Sequence, residues 1–145
     1  MSGIGIADYL AGVRHDKEQL FSRFDDFWNE IYVKARDSRN FRGHITVSDH
    51  PNHIIDLEGT GLTLIARKRV VFFGKQLLLE IDFYKERKDQ QESVLKVYLA
   101  NDGELFLGHP EDSKALDFFH EETSVPFFEQ LIRSASTGGF ISIDR

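Results

Sequence analysis

Cysteine is absent from all 145 residues, so the chain can form no disulfide, hold no metal through thiolate and use no thiol nucleophile. A reducing compartment suits such a chain. Methionine and tryptophan occur once each, as Met1 and Trp28, which withholds the soft surface that methionine gives to promiscuous binders. No apolar run approaches the roughly 20 residues needed to cross a bilayer; the longest lie around Val70 to Phe73 and Leu77 to Leu79. The opening Met1-Ser2-Gly3-Ile4-Gly5-Ile6-Ala7-Asp8 has neither the basic region nor the apolar stretch of a secretory signal. The expectation is a cytoplasmic protein without a membrane partner.

An excess of positive charge is missing too. With 24 acidic against 18 basic residues the formal charge is −6, and a field of that sign opposes nucleic acid and anionic membranes. The basic cluster Arg67-Lys68-Arg69 sits in a strand-like segment and reads as a solvated sheet face rather than a phosphate track. It lacks the interleaved aromatics that single-strand binding favours. There is no GxGxxG fingerprint, no phosphate loop and no GxSxG elbow, so no cofactor is called for.

Phenylalanine is abundant, at 13 residues, in a chain that is 41% hydrophobic and 29% charged. That is apolar enough to collapse and charged enough to stay in solution. The length suits one domain spanning residues 1–145, with the end from about residue 137 a flexible or docking tail. The pattern divides into a helical beginning, a strand-rich middle and a helical end. Asp16 and Gln19 fit an N-cap with its capping-box partner, followed by a stripe of Leu20, Phe24, Phe27 and Ile31 that Phe21, Trp28 and Ala35 widen. A short extra helix over Ile6 to Val13 would precede it, with Gly12 weakening the join.

From Gly43 the period shifts to two. Ile45 and Val47 form one face of a first strand, Asp49-His50-Pro51-Asn52 a turn, and Ile54 to Glu58 a second strand. Leu62 to Phe73 is a long strand or a bent pair; Leu77, Leu79, Ile81 and Phe83, then Leu95, Val97 and Leu99, continue the inward set. Asn101-Asp102-Gly103 marks a three-residue hairpin in which glycine takes the left-handed conformation. Helices are then expected over Lys114 to His120 and Phe127 to Ala135, the second carrying Phe128, Leu131 and Ile132. The expected fold is α+β: an antiparallel sheet of about five to six strands flanked by N- and C-terminal helices. The tail Phe140 to Ile143 leaves an edge strand, a docking segment and fraying all open.

The densest ionisable cluster by position is His44, Asp49, His50, His53 and Asp56. Imidazoles and carboxylates bind transition metals when their lone pairs converge, but spacing alone shows no convergence, and no metal site is assigned. His120-Glu121-Glu122-Thr123 lacks the second histidine of a zinc-protease helix. His15-Asp16 is better read as a helix start and His109-Pro110-Glu111 as a connection. Glu80 and Asp82 share a strand face, where paired carboxylates serve acid–base chemistry, yet cross-strand pairing with Arg67, Arg69 and Lys96 asks less of the sequence. Tyr84 and Tyr98 lie among these charges, and aromatic rings amid charge suit recognition.

No catalytic set can be named, and an enzyme is disfavoured. The leading expectation is a non-enzymatic module that binds another protein through Arg67, Arg69, Glu80, Asp82, Tyr84, Lys96 and Tyr98. The alternative is a small-molecule-binding protein or hydrolase with a phenylalanine-lined pocket between curved sheet and helices, near Tyr84, Tyr98, His44 and Glu80. Surface aromatics and the apolar tail leave a homodimer open.

Overall fold

In a computed structural model, which describes residues 5–48, 52–117 and 120–141, the apolar stripe of the N-terminal third lies on one uninterrupted helix. Helix α1 spans Ile6–Asp37, so the start expected at Asp16 is interior and its capping box is not used. The stripe explains this: Ile6, Leu10 and Val13 extend backwards the periodicity of Leu20, Phe24 and Phe27, and Gly12 costs only about 1 kcal/mol inside a helix. At 32 residues α1 is about 48 Å long. Its first turns overhang the sheet, leaving Ile6 and Leu10 exposed.

Among the described residues seven antiparallel strands follow in the order of the chain: β1 (Ile45–Val47), β2 (Ile54–Leu57), β3 (Leu62–Phe73), β4 (Gln76–Arg87), β5 (Gln90–Leu99), β6 (Glu104–Phe106) and β7 (Ala115–Asp117). The expected antiparallel α+β architecture is present, and Leu62 to Phe73 is a single strand. The seventh strand comes from the segment read as a helix over Lys114 to His120. There Leu116 and Asp117 pair with Leu105 and Glu104, and the open edge of β6 outweighs a weak local helical preference. The turn at Asn101 to Gly103 forms as expected, with Gly103 at φ 88° and its N–H donating to the Ala100 carbonyl.

The sheet is sheared. Strand β2 pairs only with the first residues of β3, Leu62 to Ile65, whereas β6 pairs only with Tyr98 and Leu99 at the end of β5. Long strands β3, β4 and β5 therefore form the middle, with short hairpins at opposite ends.

Both helices cover one face, here the inner face. Phe24, Phe27, Trp28 and Ile31 from α1 meet Leu79, Ile81 and Phe83 of β4, Val97 and Leu99 of β5, and Phe127, Phe128 and Leu131 of α2 (Ser124–Thr137), all fully buried. Phe127 joins the layers, its ring centroid 5.3 Å from Phe27 and 5.1 Å from Phe83. Trp28 fixes α1 against the end of β1 by donating its indole N–H to the Ser48 carbonyl at 2.8 Å. Helix α2 lacks a side-chain cap of its own at Thr123. Glu30 of α1 accepts instead from the Thr123 and Ser124 hydroxyls at 3.2 and 3.1 Å, and Glu122 accepts from the Ser124 and Val125 amides. Negative oxygens at a helix start satisfy orphan amides and oppose the macrodipole. Beyond Gly138 and Gly139, Phe140 and Ile141 pack on this same core; Ser142 and Ile143 of the expected tail lie outside the described residues.

Because Leu79 and Phe128 contact one core from opposite layers, truncating either leaves a cavity. Leu79→Ala and Phe128→Ala are each expected to lose about 2 to 5 kcal/mol in urea unfolding; near-native stability of both would contradict this packing.

Candidate functional site

Among the described residues no helix lies over the outer face of the sheet, which carries the polar residues singled out in the sequence. Alternation along β3, β4 and β5 sends Arg67 and Arg69, then Glu80, Asp82 and Tyr84, then Lys96 and Tyr98 to this side. The register sets Arg69 opposite Glu80 and Arg67 opposite Asp82 across β3 and β4, and Tyr98 opposite Glu80 and Lys96 opposite Asp82 across β4 and β5. A bulge between Phe83 and Tyr84 sets Ser93 opposite Tyr84, within reach of Asp82.

The two carboxylates are the unusual members. Although nothing is layered over them, Glu80 and Asp82 are only 7% and 5% exposed. Neighbouring strands cover them with their own side chains. Arg69 places Nη2 3.2 Å from Oε1 of Glu80, and the Tyr98 hydroxyl donates to Oε2 at 3.1 Å. Arg67 donates Nη2 to Oδ2 of Asp82 at 3.0 Å and Nη1 to Gln91 at 2.6 Å, while the Ser93 hydroxyl donates to Oδ1 of Asp82 at 2.6 Å. The Arg67 guanidinium also lies 5.1 Å from the Tyr84 ring centre, a cation–π distance. Buried carboxylates require such donors, since an unpaired charge away from water is costly.

The cations lie on top. The Arg67 and Arg69 side chains are 55% and 67% exposed. Lys96 is exposed as well, and has no ion pair among the described residues because Arg67 and Ser93 occupy the oxygens of Asp82. The ladder expected to engage all three cations engages the two arginines alone. Arg67, Lys68, Arg69, Glu80, Asp82 and Lys96 together line a shallow hollow of about 350 Å³. Both tyrosines expected to offer ring area lie low, Tyr84 at 9% and Tyr98 at 7% exposure. Beside the charges sits an apolar cluster of Leu78, Tyr98, Ala100 and Phe106, with Val71, Phe73 and Ala115 against it.

Burial raises the Tyr98 phenol to about 12, with the charge of Glu80 and the hydrogen bond to it adding to the rise. The neutral phenol is thus the folded form's species. Stability from this arrangement is complete below the ordinary value of 10.0 and is lost as pH climbs through about 12.

The other candidates do not converge. His44 is exposed before β1, three strands from Glu80. His53 packs edge-on against the stacked rings of Phe24 and Trp28 at 4.8 and 4.9 Å, and Asp56 accepts from Thr63. Asp49 and His50 lie outside the described residues. Among the described residues no group of three or more His, Asp or Glu side chains comes together to hold a metal ion, and no helix is long and apolar enough to cross a membrane. Between sheet and helices, where a phenylalanine-lined pocket was the alternative, Phe24, Phe27, Phe83, Phe127 and Phe128 are fully buried in the core, while a hollow of about 610 Å³ opens where Val13 and Asp16 of α1 face Phe72, Gln76 and Leu77. Ser93 and Gln91 join the network without a signal in the sequence, since the bulge that aims Ser93 leaves no mark in the alternation.

Compared with known protein families, with curated proteins and with solved structures, the chain matches none.

The Tyr98 environment gives a direct check. Following the tyrosine ring carbons by NMR against pH should show one phenol titrating near 12. In Glu80→Gln that midpoint should fall yet stay above 10.0, because burial is the larger cause. A midpoint unmoved by the substitution would contradict the Tyr98–Glu80 contact.

Proposed function

We propose that the protein is a non-enzymatic binding module that takes a carboxylate-bearing surface of another protein onto the outer face of its sheet. One observation carries this reading: the acids of that face are buried beneath its cations, so Arg67, Arg69 and Lys96 are what it presents. The chain as a whole carries −6, so this face is a local inversion of sign. A long polyanion would be opposed by the global field, whereas a compact acidic patch on a protein would meet only the hollow. Arg69 engages Glu80 through Nη2 alone, leaving Nε and Nη1 for a carboxylate. Held from below, its guanidinium loses little freedom on binding, which favours affinity. Val71 and Phe73, half-buried against the cluster of Leu78, Tyr98, Ala100 and Phe106, add apolar area at one end of the face. Mixed charge of this kind gives selectivity and rate of encounter more than raw affinity.

Lys96 is the residue on which to test the reading, since it is exposed and holds no part of the buried network. Affinity purification from the native source at physiological salt, with mass spectrometry, identifies the partner. Calorimetry should then show binding weakened at least tenfold, about 1.4 kcal/mol, by Lys96→Glu and nearly preserved by Lys96→Arg, with both variants folded by circular dichroism. Equal affinity for wild type and Lys96→Glu would remove the partner from this face.

A further inference from the structure

The shear of the sheet leaves the second half of β3 with one side unpaired. Pairing with β2 ends at Ile65, and the last bond on that side runs from the Ala66 N–H to the His53 carbonyl. Backbone groups in an antiparallel strand alternate in direction, so the N–H and C=O of Lys68, Val70 and Phe72 point the same way as those of Ala66, away from β4. Among the described residues they have no backbone partner. Phe72 is 58% exposed, one of four large hydrophobic residues exposed among the described residues. The matching free edge of β5 is flanked by α2, where Val94 lines a hollow with Gln130, Arg133 and Ser134. Edge strands β1 and β7 have three residues each. Among the described residues the β3 segment is thus a long free edge, with Phe72 at its end lining a hollow with Val13 and Asp16 of α1.

The geometry points to a second copy of this chain as its occupant, pairing β3 with β3 antiparallel about a two-fold axis through Val70. In that register Val70 meets Val70, Lys68 meets Phe72, Arg69 meets Val71 and Arg67 meets Phe73, and all three outward-facing residues of each copy exchange both bonds with the partner copy. The sequence Arg67-Lys68-Arg69-Val70-Val71-Phe72-Phe73 is thereby self-complementary: each basic residue faces an apolar one and no like charges lie directly opposite. On the inner side the Lys68 ammonium already lies 4.5 and 5.2 Å from the ring centres of Phe24 and Phe21. A partner Phe72 beside it would add a third ring and cover itself. A charged strand edge is also how monomeric proteins block such pairing, and here the register separates the two outcomes. The inference does not rest on the outer face binding a protein. It does place the outer faces of both copies on the same side, because the axis is perpendicular to the sheet.

Sedimentation velocity across micromolar to millimolar concentrations tests it. The wild-type weight-average mass should rise from the chain mass of 16.7 kDa towards twice that value. Val70→Pro removes an N–H that takes no part in the ladder with β4 and should stay monomeric, as proline is accepted at a free strand edge. Phe72→Lys, which sets lysine against the partner's Lys68, should also stay monomeric. Phe72→Glu, which sets a carboxylate there, should dimerise at least as well as wild type. All variants must keep the wild-type circular dichroism spectrum. A wild-type protein that remains monomeric throughout, or one whose Val70→Pro and Phe72→Lys variants dimerise as it does, would overturn the inference.

Discussion

Strand β4 is withdrawn from water on both sides from Leu78 to Tyr84, and the rest of the molecule answers to that. On its inner side Leu79, Ile81 and Phe83 need an apolar layer, which α1 and α2 provide. On its outer side Glu80 and Asp82 need hydrogen-bond donors and opposite charge, because nothing else offsets the loss of water around a carboxylate. Only the strands on either side can supply them. Arg67 and Arg69 come from β3, and Ser93 and the Tyr98 hydroxyl from β5. Slipping β3 by one residue would turn both arginines to the inner face and leave Lys68 alone to face the two buried acids from that strand, so the polar network supports the register that the core also sets.

The same arrangement shapes what the surface can do. Acids satisfied from the sides leave their cations above, held in place before any partner arrives. The shear of the sheet sets one further surface, since it frees the β3 edge beside that face. The proposed binding by the face rests on the buried acids and their cations, and the proposed pairing by the edge on long central strands flanked by short hairpins at opposite ends.

Much of the architecture is legible in the residues. The α1 stripe, the alternation from Ile45 to Leu99 and the glycine of the Asn101 to Gly103 turn each carry a local signal, and most of the core residues expected from them are buried, with Phe21 and Leu77 half-buried at its margin. The site is legible in part. Alternation assigns Glu80, Asp82, Arg67 and Arg69 to one face, but says nothing of whether neighbours cover it, so a ladder expected to be solvent-facing has buried carboxylates. The strand at Ala115 to Asp117 has no local signal, because its conformation comes from β6. Asp16 carries the chemistry of a cap, yet the apolar positions before it continue the helix. Glu30, which serves the start of α2 from more than ninety residues away in the chain, is a long-range partner that no local window contains.

That the buried acids and their arginines organise the face can be measured as one coupling energy. A double-mutant cycle in urea with Arg67→Met, Asp82→Asn and the pair isolates their interaction from what each side chain contributes alone. Exposed ion pairs give about 0.2 to 1 kcal/mol in such cycles. With Asp82 buried, the coupling here should exceed that range, at roughly 1.5 to 3 kcal/mol, with Asp82→Asn less damaging once Arg67 has been removed. A coupling near zero would mean that the arginine merely rests above the carboxylate, and the outer face would then be neither fixed in register nor prepared for a partner.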